Sequence, residues 1–270
     1  MGPITAAHFD AAPRLRLLAR YGVGVDAVDL ASAARRHVTV TNIPGANTDG
    51  VADHAVALML AALRQVTLGD RRVRAGNWRG QRARQLGHLT VGIVGVGRIG
   101  RAVAIRLSGF GGTVLGHDPW VPAQDLLAAG IEPVTMPELI SRSDIVSLHL
   151  PGERTIIDAN WIQQAKPGVV LVNTARATLV DEPALAAALR DGRVQVYAAD
   201  TIATELATGS PSPLLNGALI DQTNFTPHWA AQTVEAVDNM SAGVVAAVLA
   251  VLRSETPPNI VPPLEPGLSR

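Results

Sequence analysis

The sequence is most distinctive in the residues that it lacks. Its 270 residues include no cysteine and a single lysine, Lys166. Disulfide bonds and thiolate chemistry are therefore excluded, and a lysine that forms a Schiff base or clamps a phosphate has one candidate. Basic and acidic side chains are equal in number, at 23 each. No electrostatic argument therefore supports a nucleic acid or an anionic membrane as a partner.

Long hydrophobic runs are also lacking. The longest apolar run, 242–252, is too short to cross a bilayer. The opening MGPITAAHFD has neither the basic nor the apolar segment of a signal peptide. We therefore expect a cytoplasmic protein with no membrane partner. The chain is long enough for one large or two modest domains, and 47% of its residues are hydrophobic, which is ample for a core.

The best-defined motif is TVGIVGVGRIG, which begins at Thr90. An apolar strand pattern leads into Gly95, Gly97 and Gly100 in the spacing G-x-G-x-x-G, and an amphipathic helix pattern follows. These glycines suit a tight turn, the close approach of a pyrophosphate and helix–strand contact, while the helix N-terminus attracts phosphates. Asp118 ends the next apolar run; it can accept hydrogen bonds from ribose hydroxyls and would repel the 2′-phosphate of NADP.

A glycine-rich turn without a nucleotide is the alternative interpretation, because the chain has 25 glycines. The succession of strand, glycines, helix, strand and acid favours the nucleotide site. The pattern beyond Asp118 predicts a helix at 137–141, strands at 144–150, 169–173 and 194–200, helices that begin near Asp158 and Asp181, and a more polar strand before Thr226. The predicted fold is therefore α/β, with six strands in a doubly wound parallel (Rossmann) sheet.

The flanking stretches predict further elements. They are an apolar run at 15–19, a glycine loop at 21–26, a helix at 29–36, a strand at 37–41 and a long helix at 230–252. The glycine loop is equally compatible with ligand binding and with a simple strand-to-helix turn. The arginine-rich stretch 66–88 is poorly periodic, so we interpret it as a connector or an arm that lies on another subunit. Asp53 and His54 are interpreted as a hydrated or locally bonded pair.

Three polar side chains follow the late strands: Arg176, Glu205 and His228. The carboxyl ends of the strands in this architecture face the ligand crevice. An arginine there can hold a carboxylate through two hydrogen bonds, and a histidine beside a carboxylate can donate a proton. A surface arginine, a solvated glutamate and a loop histidine are equally consistent with the residue types alone.

Six segments, in order along the chain, resemble the NAD-dependent D-2-hydroxyacid dehydrogenase family. They are ARYGVGVDAVDL, TNIPGANTDGVADHAVALML, GIVGVGRIGRAVA, HLP, KPGVVLVNTARATLVDE and TPHWAA. The resemblance implies an NAD-binding Rossmann domain at 49–231 and a smaller flavodoxin-like substrate domain formed by 1–48 and 232–270. It also implies hydride transfer between NAD(H) and a small D-2-hydroxy or 2-oxo acid, in a homodimer.

The resemblance also assigns roles to residues. It implies that Arg176 binds the acid, that His228 is the general acid/base and that Glu205 pairs with this histidine. The backbone N–H groups of Val23 and Gly24 would receive the substrate carboxylate, and no metal is expected. The residues expected to contact NAD are Gly95, Gly97, Arg98, Ile99, Gly100, Asp118, His149, Leu150, Pro151, Thr174, Ala175, Asp200 (through the nicotinamide carboxamide) and Ala230.

The chain departs from the family pattern at its front. A stretch on the order of 30 residues or more is absent, so we expect an incomplete substrate domain with an exposed sheet edge. A truncated reading frame, a naturally minimal enzyme and a relative that no longer turns over are open explanations. Smaller departures are Ala177, Thr201-Ile202 and Leu206, which replace glycine, Val-Phe and proline. The alternative function is therefore a catalytically weak or inactive NAD-binding relative with a regulatory or interaction role.

Overall fold

The computed structural model describes residues 2–152, 154–206 and 211–262. It divides into two compact units. The larger unit is Val51–Ala230, and the smaller unit combines Met1–Gly50 with Ala231–Arg270.

Nine strands and ten α-helices are described in this part of the chain. The strands are β1 (Leu17–Ala19), β2 (Thr39–Thr41), β3 (Thr90–Val94), β4 (Thr113–His117), β5 (Glu132–Pro133), β6 (Ile145–Leu148), β7 (Val169–Asn173), β8 (Val194–Ala199) and β9 (Thr223–Phe225). The helices are α1 (Ala6–Asp10), α2 (Leu30–Arg35), α3 (Thr48–Arg64), α4 (Val66–Arg74), α5 (Arg98–Ser108), α6 (Ala123–Ala128), α7 (Met136–Arg142), α8 (Ala159–Gln164), α9 (Glu182–Arg190) and α10 (Val234–Leu252). Short 3₁₀ helices lie at Leu86–His88, Ala177–Leu179, Ala203–Leu206, Pro213–Leu215 and Gly217–Leu219.

The larger unit is built on a seven-stranded sheet in the order β5-β4-β3-β6-β7-β8-β9. All neighbouring strands are parallel, and every residue of β6 and β7 is buried, as in a sheet that is covered on both faces. The predicted doubly wound α/β fold is confirmed. The predicted count of six strands is wrong by one, because β5 has two residues and includes Pro133. Such a short edge strand gives no apolar pattern in the sequence.

The central strands of this sheet end at one level. The hydrogen-bonding register aligns the last residues of six neighbouring strands, which are His117, Val94, Leu148, Asn173, Ala199 and Phe225. Loops that leave these strands therefore begin side by side along one edge. In an open α/β sheet this is the edge that binds ligands, beside the point where the strand order reverses. Here the reversal lies between β3 and β6.

The smaller unit contains a two-stranded parallel sheet that pairs Leu17 with Thr39. A bridge from Thr41 to Ile260 covers the outer edge of β2. No strand pairs with the outer edge of β1 among the described residues. Helix α10 packs against β1. Its uninterrupted apolar run, 242–252, is shorter than a bilayer, but the whole helix has the length and apolar composition of a membrane span, as helices of soluble proteins can also have. Several of its apolar side chains are exposed.

Two helix predictions need correction. The arginine-rich stretch is not simply a connector, because α4 occupies its first part, bent by 56° from α3. The left-handed backbone of Gln65 (φ 52°) produces the break. The last helix begins at Val234 and not at residue 230, because the Thr233 side chain caps it by accepting a hydrogen bond from the N–H of Ala236.

Candidate functional site

The glycine turn between β3 and α5 is shaped by two close approaches and one open position. A Cβ atom added to Gly95 (φ +89°) would lie 2.6 Å from the carbonyl oxygen of His149, and one added to Gly100 would lie 2.2 Å from the carbonyl oxygen of Gly95. A Cβ atom added to Gly97 would meet nothing within 4 Å. Gly97 is also the N-cap of α5. The turn therefore presents a helix N-terminus and free space, which suit a phosphate group.

Asp118 stands just beyond β4 and is fixed by two backbone N–H donors. Its Oδ2 accepts a hydrogen bond from Val96 (2.8 Å) within the glycine turn, and its Oδ1 accepts one from Trp120 (2.9 Å). The side chain is only partly buried. Because each carboxylate oxygen has a further lone pair, Asp118 can still accept hydrogen bonds from the hydroxyls of a ligand.

His149 follows β6 at the point of strand reversal. Its ring lies between two hydroxyls: Nε2 is 2.9 Å from Ser147 Oγ and Nδ1 is 3.5 Å from Thr174 Oγ1. Burial lowers the pKa of His149 to about 4. The ring is therefore neutral near pH 7, so at this edge of the sheet it is suited to neutral hydrogen bonds and not to the role of an acid.

Asn173, the last residue of β7, shapes the turn that carries Arg176. Its fully buried amide donates from Nδ2 to the Arg176 carbonyl (2.8 Å) and accepts at Oδ1 from the N–H of Ala175 (2.9 Å). It also donates to the hydroxyl of Tyr197 (3.2 Å), a residue whose pKa is raised by burial. The half-buried Arg176 places Nη1 2.8 Å from the Ala175 carbonyl.

Asp200, directly after β8, holds the turn that carries His228. Its Oδ1 accepts hydrogen bonds from the Thr226 hydroxyl (2.5 Å) and the N–H of Trp229 (3.0 Å), and its Oδ2 accepts from the N–H of Ala230 (2.9 Å). The N–H of His228 donates to the Asp200 carbonyl (2.9 Å). His228 itself has a left-handed backbone (φ 52°) and an exposed side chain. The bonds around it hold this uncommon conformation in place.

Glu182, in the first turn of α9, holds the loop that follows β8. This carboxylate is 5% exposed and accepts hydrogen bonds from the N–H of Ala203 (2.7 Å) and from the Ser212 hydroxyl (2.5 Å). The backbone of Glu205 belongs to the 3₁₀ helix Ala203–Leu206. The side chain of Glu205 lies outside the described residues.

The glycine loop of the smaller unit is held through its carbonyl groups. Three successive carbonyls, of Gly22, Val23 and Gly24, accept hydrogen bonds from Ile43 N, Asn42 Nδ2 and Arg20 Nε, at 2.9, 2.8 and 3.1 Å. In the ranges that the structure describes, the N–H groups of Val23 and Gly24 have no acceptor. They are therefore available to an anionic ligand.

The remaining residues expected to contact the cofactor follow the same row of strand ends. Arg98 and Ile99 begin α5, Leu150 and Pro151 follow β6, Thr174 and Ala175 follow β7, and Ala230 closes the turn after β9. Arg176, Asp200 and His228 follow the adjacent strands β7, β8 and β9. No group of three His, Asp or Glu side chains could hold a metal within the described ranges.

Two of the polar residues that hold these turns, Asn173 and Glu182, were not expected as site residues, whereas Asp200 was. The one signal in the sequence that points to Asn173 and Glu182 is a polar residue beside an apolar run, and the structure buries both. The interpretation of Asp53 and His54 as a pair is wrong. Asp53 pairs with Arg106, while His54 Nε2 lies 2.8 Å from Thr226 Oγ1. Successive residues of a helix point in different directions, so they do not face each other.

Comparisons with known proteins give matches over most of this chain. Residues 56–230 match the model of the D-isomer specific 2-hydroxyacid dehydrogenase, NAD binding domain. The chain is similar to D-3-phosphoglycerate dehydrogenase of Mycobacterium leprae, with 41% identity over 93% of this chain and 48% of that protein. It is also similar to glyoxylate reductase of Korarchaeum cryptofilum, with 38% identity over 96% of this chain and 80% of that protein.

The chain is also similar to a solved structure. The D-lactate dehydrogenase from Aquifex aeolicus, complexed with NAD and lactic acid, matches with a TM-score of 0.87 and 30% identity, covering 96% of this chain and 83% of that one. The chain spans about half the length of the phosphoglycerate dehydrogenase of Mycobacterium leprae.

Proposed function

Because the chain belongs to the D-isomer specific 2-hydroxyacid dehydrogenase family and carries that family's NAD-binding domain, we propose that it interconverts a small 2-oxo acid and the corresponding D-2-hydroxy acid. The observation that carries the proposal is the row of aligned strand ends. It places the nucleotide turn of β3 and the Arg176 and His228 turns of β7 and β9 along one edge of one sheet.

Several residues are suited to hold NAD, whose nicotinamide ring supplies or accepts the hydride. The open space at Gly97 and the N-terminus of α5 would receive the pyrophosphate. Asp118 would accept hydrogen bonds from the adenosine ribose. Among the described residues, Asp200 Oδ2 accepts one hydrogen bond, from the N–H of Ala230, and would use a remaining lone pair for the nicotinamide carboxamide. The neutral ring of His149 would line the cleft.

The proposed chemistry divides between an arginine and a histidine. Arg176 binds the substrate carboxylate through two hydrogen bonds, with the N–H groups of Val23 and Gly24 as further donors. As the carbonyl carbon is reduced, negative charge grows on its oxygen, and protonated His228 transfers a proton to that atom. By the resemblance, Glu205 is proposed as the partner of His228. In the oxidation direction, neutral His228 removes the proton of the hydroxyl group.

The larger and smaller units would then be the NAD-binding and substrate domains. We propose a cytoplasmic homodimer that binds neither membrane nor nucleic acid. The named relatives reduce or oxidise different acids, so the proposal is limited to the class of small 2-oxo and 2-hydroxy acids.

The test is NADH oxidation by the purified chain with a panel of 2-oxo acids, accompanied by nicotinamide fluorescence to measure NADH binding. Turnover with at least one acid is expected. The His228→Ala variant should then lose roughly 10²–10⁴ in turnover, the usual contribution of a general acid/base, while its NADH affinity stays close to wild type. NADH binding without turnover on any acid would contradict the proposal and favour the alternative of an inactive NAD-binding relative.

A further inference from the structure

We infer that His54 is a positioning residue, which acts on His228 through a hydrogen-bonded chain that runs from His54 to Thr226 to Asp200. His54 lies on α3, far from His228 in the sequence, and both belong to the larger unit. This role rests on the proposed function of His228.

The distances fix the direction of this chain. Thr226 Oγ1 is 2.5 Å from Asp200 Oδ1 and 2.8 Å from His54 Nε2. A hydroxyl has one hydrogen to donate, and an ionised carboxylate can only accept. Thr226 therefore donates to Asp200, and the Nε2–H of His54 must donate to Thr226. His54 also lies near the carboxylate directly, with Nε2 3.6 Å from Oδ1.

Asp200 connects this series of hydrogen bonds to the turn that carries His228. Its carboxylate is buried, with 1% of the side chain exposed, and it also accepts hydrogen bonds from the N–H groups of Trp229 and Ala230. Three hydrogen bonds thus attach residues 226–230 to the side chain of Asp200. His228 lies between these attachment points, with its left-handed backbone.

The donor on His54 matters because it orients the Thr226 hydroxyl. With one of the two lone pairs of Thr226 Oγ1 accepting from His54, the hydroxyl hydrogen points at Asp200, and hydrogen bonds in such a series strengthen one another. Without the donor, the hydroxyl is free to rotate and the first attachment of the turn weakens. The imidazole of His228 would then sample positions that are unsuited to proton transfer.

Two substitutions of His54 distinguish the loss of its hydrogen-bond donor from the loss of its side-chain volume. His54→Leu removes the donor and leaves an apolar side chain of similar size, while His54→Gln places an amide N–H close to the position of Nε2. We expect His54→Leu to lower kcat about tenfold or more, because small displacements at a reacting group are costly, with NADH affinity nearly unchanged. His54→Gln should restore kcat to within about threefold of wild type, less than the effect of one full hydrogen bond.

Two further variants guard against misfolding of the His54 variants. Thr226→Val removes the central hydroxyl and should resemble His54→Leu, and combining the two should cost little more than either alone, because both break the same chain. Asp53→Asn is the matched control on α3. Its side chain is 70% exposed and bonds Arg106, so kcat should not change.

Amide hydrogen exchange at Thr226 and at residues 228–230, which flank Pro227, provides a readout that does not depend on turnover. Exchange should accelerate in His54→Leu and Thr226→Val and remain slow in His54→Gln and Asp53→Asn. Equal behaviour of His54→Leu and His54→Gln, or wild-type kcat and exchange in His54→Leu, would overturn the inference. If the wild-type chain reduces no 2-oxo acid, the proposed function fails, while the exchange comparison still decides whether His54 holds the turn.

Discussion

The two units hold a loop at the end of a parallel strand in different ways. In the larger unit the loops are held by buried side chains: Asn173, Asp200 and Glu182 are at most 5% exposed. In the smaller unit the glycine loop is held through its own carbonyls, partly by the less buried Arg20 and Asn42. A seven-stranded sheet with both faces covered has room to bury a polar side chain at the end of a strand, whereas a two-stranded sheet has little.

This difference has an energetic consequence. A hydrogen bond in a low-dielectric interior is stronger, and a partner left unpaired there is costlier than one that water can reach. Substitutions in the larger unit should therefore lower the free energy of unfolding strongly, and equivalent substitutions in the smaller unit should lower it little. Three matched comparisons test this expectation.

The largest contrast is expected between two glycines. Alanine at Gly100 would place its methyl group 2.2 Å from the backbone oxygen of Gly95, so the glycine turn must move. We expect Gly100→Ala to destabilise the larger unit by about 3 kcal/mol, a high cost for overpacking, and to abolish NADH binding. In the smaller unit, Gly243→Ala would meet the side chain of Ile43 at 2.7 Å.

The cost of moving Ile43 should be offset by the helix preference for alanine, about 1 kcal/mol, so Gly243→Ala should change stability by less than about 1 kcal/mol. Denaturant unfolding, with hydrogen exchange to assign the change to a unit, measures both variants. Similar losses of unfolding free energy in the two variants would contradict the expected difference between the units.

A pair of asparagines gives an intermediate contrast. Asn173→Ala removes three hydrogen bonds and leaves the buried N–H of Ala175 without its acceptor. The expected loss of unfolding free energy is about 2–3 kcal/mol, because an unpaired buried group adds its desolvation cost. Asn42→Ala removes one exposed bond, to the Val23 carbonyl, and should cost about 0.5–1 kcal/mol. Chemical denaturation of both variants against wild type provides the measurement. A larger loss for Asn42→Ala would reverse the expected ranking.

A third contrast lies in how the stability of each unit depends on pH. Burial lowers the pKa of His149 from 6.5 to about 4, so between these values the unfolded chain binds the extra proton and the folded chain does not. The contribution of neutral His149 to the free energy of unfolding is therefore fully present above about pH 6.5. It decreases as the pH is lowered toward 4, by at most about 1.4 kcal/mol per pH unit.

In the smaller unit, hydrogen bonds from Ser32 lower the pKa of Asp29 below 3.8, so its contribution is lost only under more acidic conditions. Unfolding free energies from pH 7 to 4 should show a slope that His149→Gln reduces. A slope that is unaffected by this variant would show that other groups carry it.

The sequence predicted the elements with the longest patterns and missed those with the shortest. Buried strands such as β3 and β7, and helix caps such as Asp158, are local signals, and the structure has them where expected. The two-residue β5 has too few side chains to form a pattern. The first half of the arginine-rich stretch is helical because arginine is a good helix former, although its charge masked the apolar period.

The sequence also indicated candidate site residues unevenly. Arg176 and His228 could be named because each is a distinctive residue type after a strand. The His54–Thr226 contact could not, because it joins residues that are 172 positions apart and no local pattern records such a pairing. The role of Asp200 in holding the His228 turn was missed for the same reason, since its donors belong to the next strand's loop.

The aligned strand ends also bear on how this protein could change over time. Asp118 follows β4 and His228 follows β9, five strand spacings away, or about 24 Å at the usual separation. Substitutions so far apart contribute independently. The coenzyme preference proposed for Asp118 and the acid–base chemistry proposed for His228 can therefore be altered one at a time, by drift or by engineering, without a change in one trait undoing the other.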